Sequence, residues 1–314
     1  MPKISVIGCG YWGKNHIRNF FNLDSLYSVS DLDEKLSSKF SQQFEVKNQT
    51  FEEILDDPKI DGVSICSPAF KHKEMAIRSL KSGKNVLVEK PLAMSAKEAR
   101  EIKRAQLESG KIVMVGHLMH YHSAFTKLKD IVSKDEFGNI RCIESSRKSY
   151  GKIRTEEDVV WSFAPHDISM IMSLINSSPN KISSKKSYVL GNNLCDTASI
   201  FLEFEHGITA NISLSWVSPV KEQRIIVVGE KQSIIFDDTK DWEDKLTVFH
   251  NQLKAPYDKV NMLKEDGIKI SLKQNEPLES ECKYFLDLIQ NKVQINLTDI
   301  EEGIRVLEVL ESCS

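Results

Sequence analysis

Lys90 closes the apolar run "NVLVEK", with Pro91 directly after it. A lysine at the end of a buried strand is presented to whatever that strand end faces. When partly desolvated, it serves as a donor to a reacting oxygen. The plain alternative is a surface lysine whose stem lies along the strand end. Pro91 is also a candidate for a cis bond, a feature of prolines in tight turns. His166 follows Pro165, a residue that suits the first position of a helix. This predicts a helix over "PHDISMIMSLIN" with the imidazole at its N-terminus. There the dipole disfavours imidazolium and keeps the ring neutral. A neutral imidazole takes a proton from a hydroxyl while hydride leaves the same carbon; the alternative is a histidine that only bonds the helix start. Asp167 would then lie in the first turn, either as a second polar group for chemistry or as a favourable charge at the positive end of the dipole.

The stretch "VIGCGYWGKNHIRNF" places Gly8, Gly10 and Gly13 between an apolar strand and a helix. Strand, G-x-G-x-x-G and helix together are the context of the dinucleotide fingerprint. Gly8 allows the tight turn, Gly10 lets the backbone approach a pyrophosphate, and Gly13 lets helix and strand pack closely. The helix start then offers free N–H groups to the phosphates. The next strand ends in Asp31, 18 residues after Gly13. An acid there bonds ribose hydroxyls and repels a 2′-phosphate, which favours NAD over NADP.

Other polar groups allow more than one reading. "SSRKSYGKIRTEED" gathers Arg147, Lys148, Lys152 and Arg154, with Tyr150 among them. Arginine suits phosphates and carboxylates through its two-pronged fork; the same residues also read as a solvated basic loop. "GHLMHYH" brings His117, His120 and His122 together and invites a metal. Read as a strand, it would scatter these rings over different faces, and no adjacent acid completes a ligand set. A pocket-lining role for His120, Tyr121 or His122 is the better expectation, and no metal is expected.

These residues need elements to hold them. Through "KIVMVGH" the chain alternates short apolar strands with amphipathic helices, the pattern of a parallel sheet covered by helices. Ser95 with Glu98 reads as a capping box for one of the helices. The period then changes. In "DTASIFLEFEHGITANISLSW", Ala198, Ile200, Leu202 and Phe204, then Ile208, Ala210, Ile212, Leu214 and Trp216 alternate with mostly polar residues, and His206-Gly207 reads as a turn. That is a half-buried antiparallel sheet. The expected fold is therefore α/β: a doubly wound parallel sheet over residues 1–120, then an α+β domain over 121–314 built on a large, mainly antiparallel open sheet.

The 314 residues suffice for two domains. Net charge is −3 and no long basic run occurs, so neither nucleic acid nor an anionic membrane surface is indicated as partner. No apolar run approaches a membrane span, and the N-terminus does not read as a signal peptide. Six scattered cysteines without a CxxC pair read as small buried hydrophobes in a reducing compartment, which points to the cytoplasm.

The set "GCGYWG", "SDLD", "SICSP…H", "GKNVLVEKPL" and "GH" resembles the glucose–fructose oxidoreductase / inositol dehydrogenase family, in order across the whole first half. "WSFAPHDISMI" and "ISLSWVSP" resemble the subgroup acting on nucleotide-linked sugars, in particular UDP-N-acetylglucosaminuronate 3-dehydrogenases. The resemblance implies NAD as cofactor. It places cofactor contacts at Gly8, Gly10, Tyr11, Trp12, Gly13, Asp31, Ser67, Pro68, His72, Glu89 and Lys90. In the family the lysine of Glu-Lys-Pro reaches both the nicotinamide and the reacting hydroxyl. The family's Asp-x-x-x-His motif puts its histidine on His166, but Ser162 stands at its aspartate position. Either Asp167 takes over part of that task, or His166 works without a carboxylate. Substrate contacts are then expected from Lys90, His120, Arg147, Tyr150, Arg154, Ser162, His166 and Asp167.

The function expected is hydride transfer between a sugar carbon, C3 of a nucleotide-linked sugar or uronate, and nicotinamide. One rival is a dehydrogenase of a free polyol such as inositol. The other is a non-catalytic NAD-binding regulator, suggested by Ser162 and opposed by the presence of both Lys90 and His166. The polar face of the second sheet suits pairing of subunits as a homodimer or homotetramer.

Overall fold

The protein is described from a computed structural model covering residues 1–151, 153–155, 157–191, 193–250 and 266–313. Lys152 lies outside the described residues. The chain forms two compact units, Met1–Tyr121 with Asn275–Glu308, and His122–Gln274 with Val309–Ser314.

The first unit runs β1 (Ile4–Ile7), α1 (Gly13–Asn22), β2 (Leu26–Ser30), α2 (Glu34–Phe44), β3 (Lys47–Asn48), α3 (Phe51–Asp56), β4 (Gly62–Ile65), α4 (His72–Lys81), β5 (Asn85–Glu89), α5 (Ala96–Ser109) and β6 (Val113–Gly116). The strands form one parallel sheet in the order β3-β2-β1-β4-β5-β6. This is the expected Rossmann-type sheet. From β1 the chain builds outward in one direction and from β4 in the other, so the switch point lies between β1 and β4. Loops after the carboxyl ends of strands at such a point form the ligand crevice. Burial explains the strand composition: Ile4, Val6, Val63, Ile65, Val86, Leu87 and Val88 have almost no exposed surface, as expected for a parallel sheet covered by helices.

The second unit contains α6 (Ser123–Val132), β7 (Ile140–Tyr150), α7 (Val159–Ile175), β8 (Lys181–Ser187), β9 (Thr197–Glu203), β10 (Thr209–Ser215), β11 (Val217–Gly229), β12 (Gln232–Asp237), β13 (Leu246–His250) and β14 (Ile268–Lys269). Among the described residues its eight strands pair in the order β14-β13-β12-β11-β7-β10-β9-β8. Every neighbouring pair is antiparallel except β10 with β7. The alternation read in β9 and β10 is present. Ala198, Ile200, Leu202, Ala210, Ile212 and Leu214 are buried, and α7 packs on this sheet. His206 and Gly207 make the turn, both with positive φ.

The expected division at residue 120 stands beside a first unit made of two stretches, Met1–Tyr121 and Asn275–Glu308. After the second unit the chain returns to the first through α8 (Pro277–Ile289), where Leu278, Cys282, Phe285, Leu286 and Leu288 join the core of Ile4, Ile17, Phe20 and Leu87. Periodicity shows that α8 has an apolar face but not which sheet that face covers. The last helix is α9 (Ile300–Ser312). The capping box at Ser95 is half formed: Ser95 Oγ accepts from the Glu98 N–H at 3.1 Å, while Glu98 Oε2 accepts from Met94 N rather than Ser95 N. Finally, α7 starts six residues before Pro165, because Asp158 caps it by accepting from the Trp161 N–H at 3.0 Å.

Candidate active site: a dinucleotide crevice and a histidine-bearing helix

Side chains in the glycine loop could not be accommodated at two of its three positions. Gly8 has φ +94°, and a Cβ there would sit 2.8 Å from the Cys66 backbone carbonyl at the end of β4. A Cβ on Gly13 would meet the Gly8 carbonyl oxygen at 1.7 Å. Gly10 differs: a Cβ there would meet nothing within 4 Å. Two glycines therefore hold the loop against its own sheet, and the third leaves an open approach to the backbone. That is the cradle a pyrophosphate needs at the start of α1. Tyr11 is exposed beside it, with the Lys14 ammonium 4.9 Å from its ring centre. Trp12 packs against the core.

Asp31 follows β2 directly. Its Oδ2 accepts from the Cys9 N–H at 2.5 Å and its Oδ1 from the Asp33 N–H at 2.9 Å. A carboxylate has about four lone-pair directions, so both oxygens keep capacity for ribose hydroxyls. Asp31→Ser is expected to weaken NADH binding about tenfold, the worth of a charged hydrogen bond, and to relax discrimination against NADPH. Fluorescence titration with both cofactors checks this. Equal affinities in the unchanged protein would remove the role given to Asp31.

The carboxyl ends of β4 and β5 bring Ser67, Pro68, Glu89 and Lys90 to the same edge of the sheet. Lys90 follows Glu89 at the end of β5, its N–H donates to Glu89 Oε2 at 3.2 Å, and the Lys90–Pro91 peptide is cis. His72 was expected as a cofactor contact. The structure buries its ring and places Nδ1 2.7 Å from the Pro91 carbonyl and Nε2 2.8 Å from the Ser67 carbonyl. It ties the loop after β4 to the loop after β5. Burial pushes its pKa down against the opposing pull of these carbonyls.

In the second unit, His166 is the eighth residue of α7, not its first. The helix dipole acts mainly on terminal turns, so the argument that it keeps this imidazole neutral does not hold. Pro165 lies inside the helix. It lacks the N–H that would bond the carbonyl four residues earlier. Ser162 lies one turn before His166 and is buried. Asp167, only 1% exposed, is not a first-turn charge. It accepts from Arg147 Nε at 2.6 Å and from Ser145 Oγ at 2.6 Å. Arg147 was expected to grip an anion; its guanidinium is instead committed to Asp167, fastening β7 to α7. Lys148 pairs with Glu222 at 3.3 Å and Arg154 with Glu157 at 2.7 Å. Tyr150 is 82% exposed.

The three clustered histidines do not lie on a strand. Leu118–Tyr121 is a 3₁₀ turn that holds a buried His120. Acids distant in sequence do approach the other two: His117 Nδ1 lies 2.7 Å from Glu302, and His122 Nε2 lies 3.3 Å from Asp238. Sequence reading missed a further buried group, His16, Glu89 and Glu281, whose ligand-capable atoms lie within 4.8 Å of one another. The signal was slight: a histidine one turn into α1 on its sheet-facing side, and an acid on α8 that resembles a solvated position. All six cysteines are free thiols. Burial first, then nearby carboxylates, pushes Cys9 and Cys195 up to about 12. Among the described residues, no helix is long and apolar enough to cross a membrane.

A glycine cradle at a sheet switch point, an acid ending β2 and a lysine ending β5 define a nicotinamide-dinucleotide oxidoreductase. Residues 3–117 match the oxidoreductase family with an NAD-binding Rossmann fold, and residues 125–235 match the GFO/IDH/MocA C-terminal domain. The chain belongs to the GFO/IDH/MocA family, and its cofactor is NAD. It is 26% identical over 250 residues to an uncharacterized oxidoreductase, YrbE of Bacillus subtilis, covering 75% of this chain and 73% of that one. It is 25% identical over 260 residues to the myo-inositol 2-dehydrogenase of Thermotoga maritima, covering 78% of each. The fold of UDP-N-acetylglucosamine 3-dehydrogenase GnnA from Acidithiobacillus ferrooxidans superposes with TM-score 0.87 at 21% identity, covering 99% of this chain and 95% of that one.

Proposed function

We propose that this protein is a dehydrogenase passing hydride between a sugar ring carbon, C3 of a nucleotide-linked sugar or uronate, and C4 of nicotinamide. The observation that carries the hydride chemistry is the placement of Lys90 at the end of β5, on the same sheet edge as the glycine cradle. NAD supplies the hydride acceptor when bound; Gly8, Gly10, Gly13 and Asp31 hold and orient it. Lys90 donates to the substrate hydroxyl oxygen and stabilises the negative charge that develops there. His166 takes the hydroxyl proton. The carbinol loses one hydride and one proton, leaving a ketone. Asp167, held by Arg147, fixes the helix that carries His166. The polar face of the second sheet, with Glu144, Ser146, Lys148, Glu222 and Arg224, serves subunit pairing as a homodimer or homotetramer.

A free polyol is a second reading. The internal pairing of Arg147, Lys148 and Arg154 favours it, because it leaves fewer cations for a diphosphate or uronate. The inositol dehydrogenases among the relatives support it as well. A panel separates the two: UDP-N-acetylglucosamine, its uronate, myo-inositol and scyllo-inositol, each with NAD, with and without 2-oxoglutarate to reoxidise retained cofactor. Turnover of the UDP-sugars with inert inositols supports the first reading, and the reverse replaces it with the second. If NAD binds and no member of the panel reduces it, the regulator reading gains.

A further inference from the structure

Beneath Lys90 lies a buried polar group that the proposed reaction does not use. His16 on α1 is fully buried, and its Nε2 lies 2.7 Å from Glu89 Oε1. Its Nδ1 is 3.0 Å from Ser64 Oγ on β4 and 4.0 Å from Cys282 Sγ on α8. The other oxygen of Glu89 accepts from the Lys90 N–H at 3.2 Å. Glu281, also on α8, is 0% exposed, and among the described residues neither of its carboxyl oxygens has a hydrogen-bond partner. One continuous line of contacts therefore runs Ser64, His16, Glu89, Lys90 through the interior of the first unit.

The charges follow from this arrangement. Burial opposes charge on both His16 and Glu89. For Glu89 the hydrogen bond from His16 outweighs it and holds the carboxyl below its usual range. For His16 the surrounding Cys66 and Cys282 sulfurs and the Glu89 carboxylate outweigh burial and raise it above its usual value. Glu281 has no such partner, and burial, then the neighbouring Glu89, drives its pKa well up. The geometry is a buried His16–Glu89 hydrogen bond beside a buried carboxyl group of Glu281.

We infer that His16 is a positioning residue: it grips the buried carboxylate of Glu89, Glu89 grips the backbone of Lys90, and the lysine is thereby held at its place on the sheet edge. The inference rests on the assignment of Lys90 above. Without the imidazole, the Glu89 carboxylate loses the His16 hydrogen bond and turns to other donors, and the Lys90 N–H loses a fixed acceptor. Buried charged groups left without partners rearrange or neutralise, so the effect reaches the Lys90 ammonium through its backbone and its local field.

The test reads Lys90 directly and needs no substrate. The intact protein is trace-labelled with acetic anhydride across a pH series, and the labelling of Lys90 is measured by peptide mass spectrometry relative to the remote Lys35. His16→Asn, whose amide is too short to reach Glu89, is expected to change the relative labelling of Lys90 by roughly threefold to tenfold, the size of one ordinary hydrogen bond lost. His16→Gln, whose amide N–H reaches about as far as Nε2, is expected to restore most of the native profile. NADH binding in each variant checks that the unit is folded. An unchanged Lys90 profile in folded His16→Asn overturns the inference. Should that variant not fold, amide exchange in the unchanged protein decides: the Lys90 N–H is expected to be protected, and exchange at the rate of an open amide overturns the inference. A Lys90 that responds as expected, in a protein that reduces NAD with no sugar, would sink the proposed reaction and leave the positioning role standing.

Discussion

His166→Asn is expected to lower turnover by roughly 10²–10⁴, the usual worth of a positioned base, while NAD affinity stays unchanged. His166 belongs to the unit formed by His122–Gln274 and Val309–Ser314, whereas the glycine cradle and Asp31 belong to the other. In the proposed reaction its loss removes the proton acceptor and leaves the glycine cradle and Asp31 in place. Lys90→Met is expected to lower the rate comparably, with some loss of cofactor affinity because Lys90 stands at the cradle's own sheet edge. The double variant should be slower than either single one by much less than the product of the two effects, since the proposed reaction has both groups act on one hydroxyl. Steady-state kcat, with NADH affinity measured separately, checks all three variants. A His166→Asn enzyme with native turnover moves the base elsewhere, and Tyr150 would then be tested first.

Arg147→Met is expected to cost about 3 kcal/mol of stability, the low end for removing one partner of a buried ion pair. The low end applies because the Arg147 side chain keeps 13% of its surface exposed, against 2% for Asp167. The substitution leaves Asp167 charged and buried, with Ser145 as its remaining side-chain donor. Arg147→Met combined with Asp167→Leu should recover most of the loss, because two apolar groups carry no unpaired charge. Denaturant unfolding of the three proteins measures this. Unchanged stability in Arg147→Met, together with a raised KM confined to an acidic sugar, would return Arg147 to the anion-gripping role expected from its position in the basic stretch.

That reversal shows where the sequence was legible and where it was not. The glycine loop was readable because steric demand at Gly8 and Gly13 leaves no other residue type. The switch of period near residue 120 was readable because strand alternation and helix spacing are local properties. Partners distant in sequence were not readable. Nothing in "SSRKSY" says that Arg147 faces Asp167, 20 residues on, and nothing in "LESECKYF" says that α8 returns to cover β1. The start of α7 was misplaced for a local reason. Pro165 looked like a first helical residue, but Asp158 supplied a stronger cap, and the helix runs through the proline. The capping box at Thr50 and Glu53, fully formed in the structure, had the right spacing but went unread, because α3 is too short to show periodicity.

The claim at the centre of this account is that a ring C–H of a sugar gives its hydrogen to nicotinamide in this protein. The most direct measurement is isotope transfer in a single turnover. The protein is loaded with NAD and mixed with a UDP-sugar deuterated only at C3, and the reduced cofactor is analysed by mass spectrometry. The account predicts one deuterium in the reduced nicotinamide, formed more slowly than with the undeuterated sugar. Reduced cofactor without deuterium would place the reacting carbon elsewhere. No reduction from this sugar or from deuterated inositol, in a protein that binds NAD, would contradict the account.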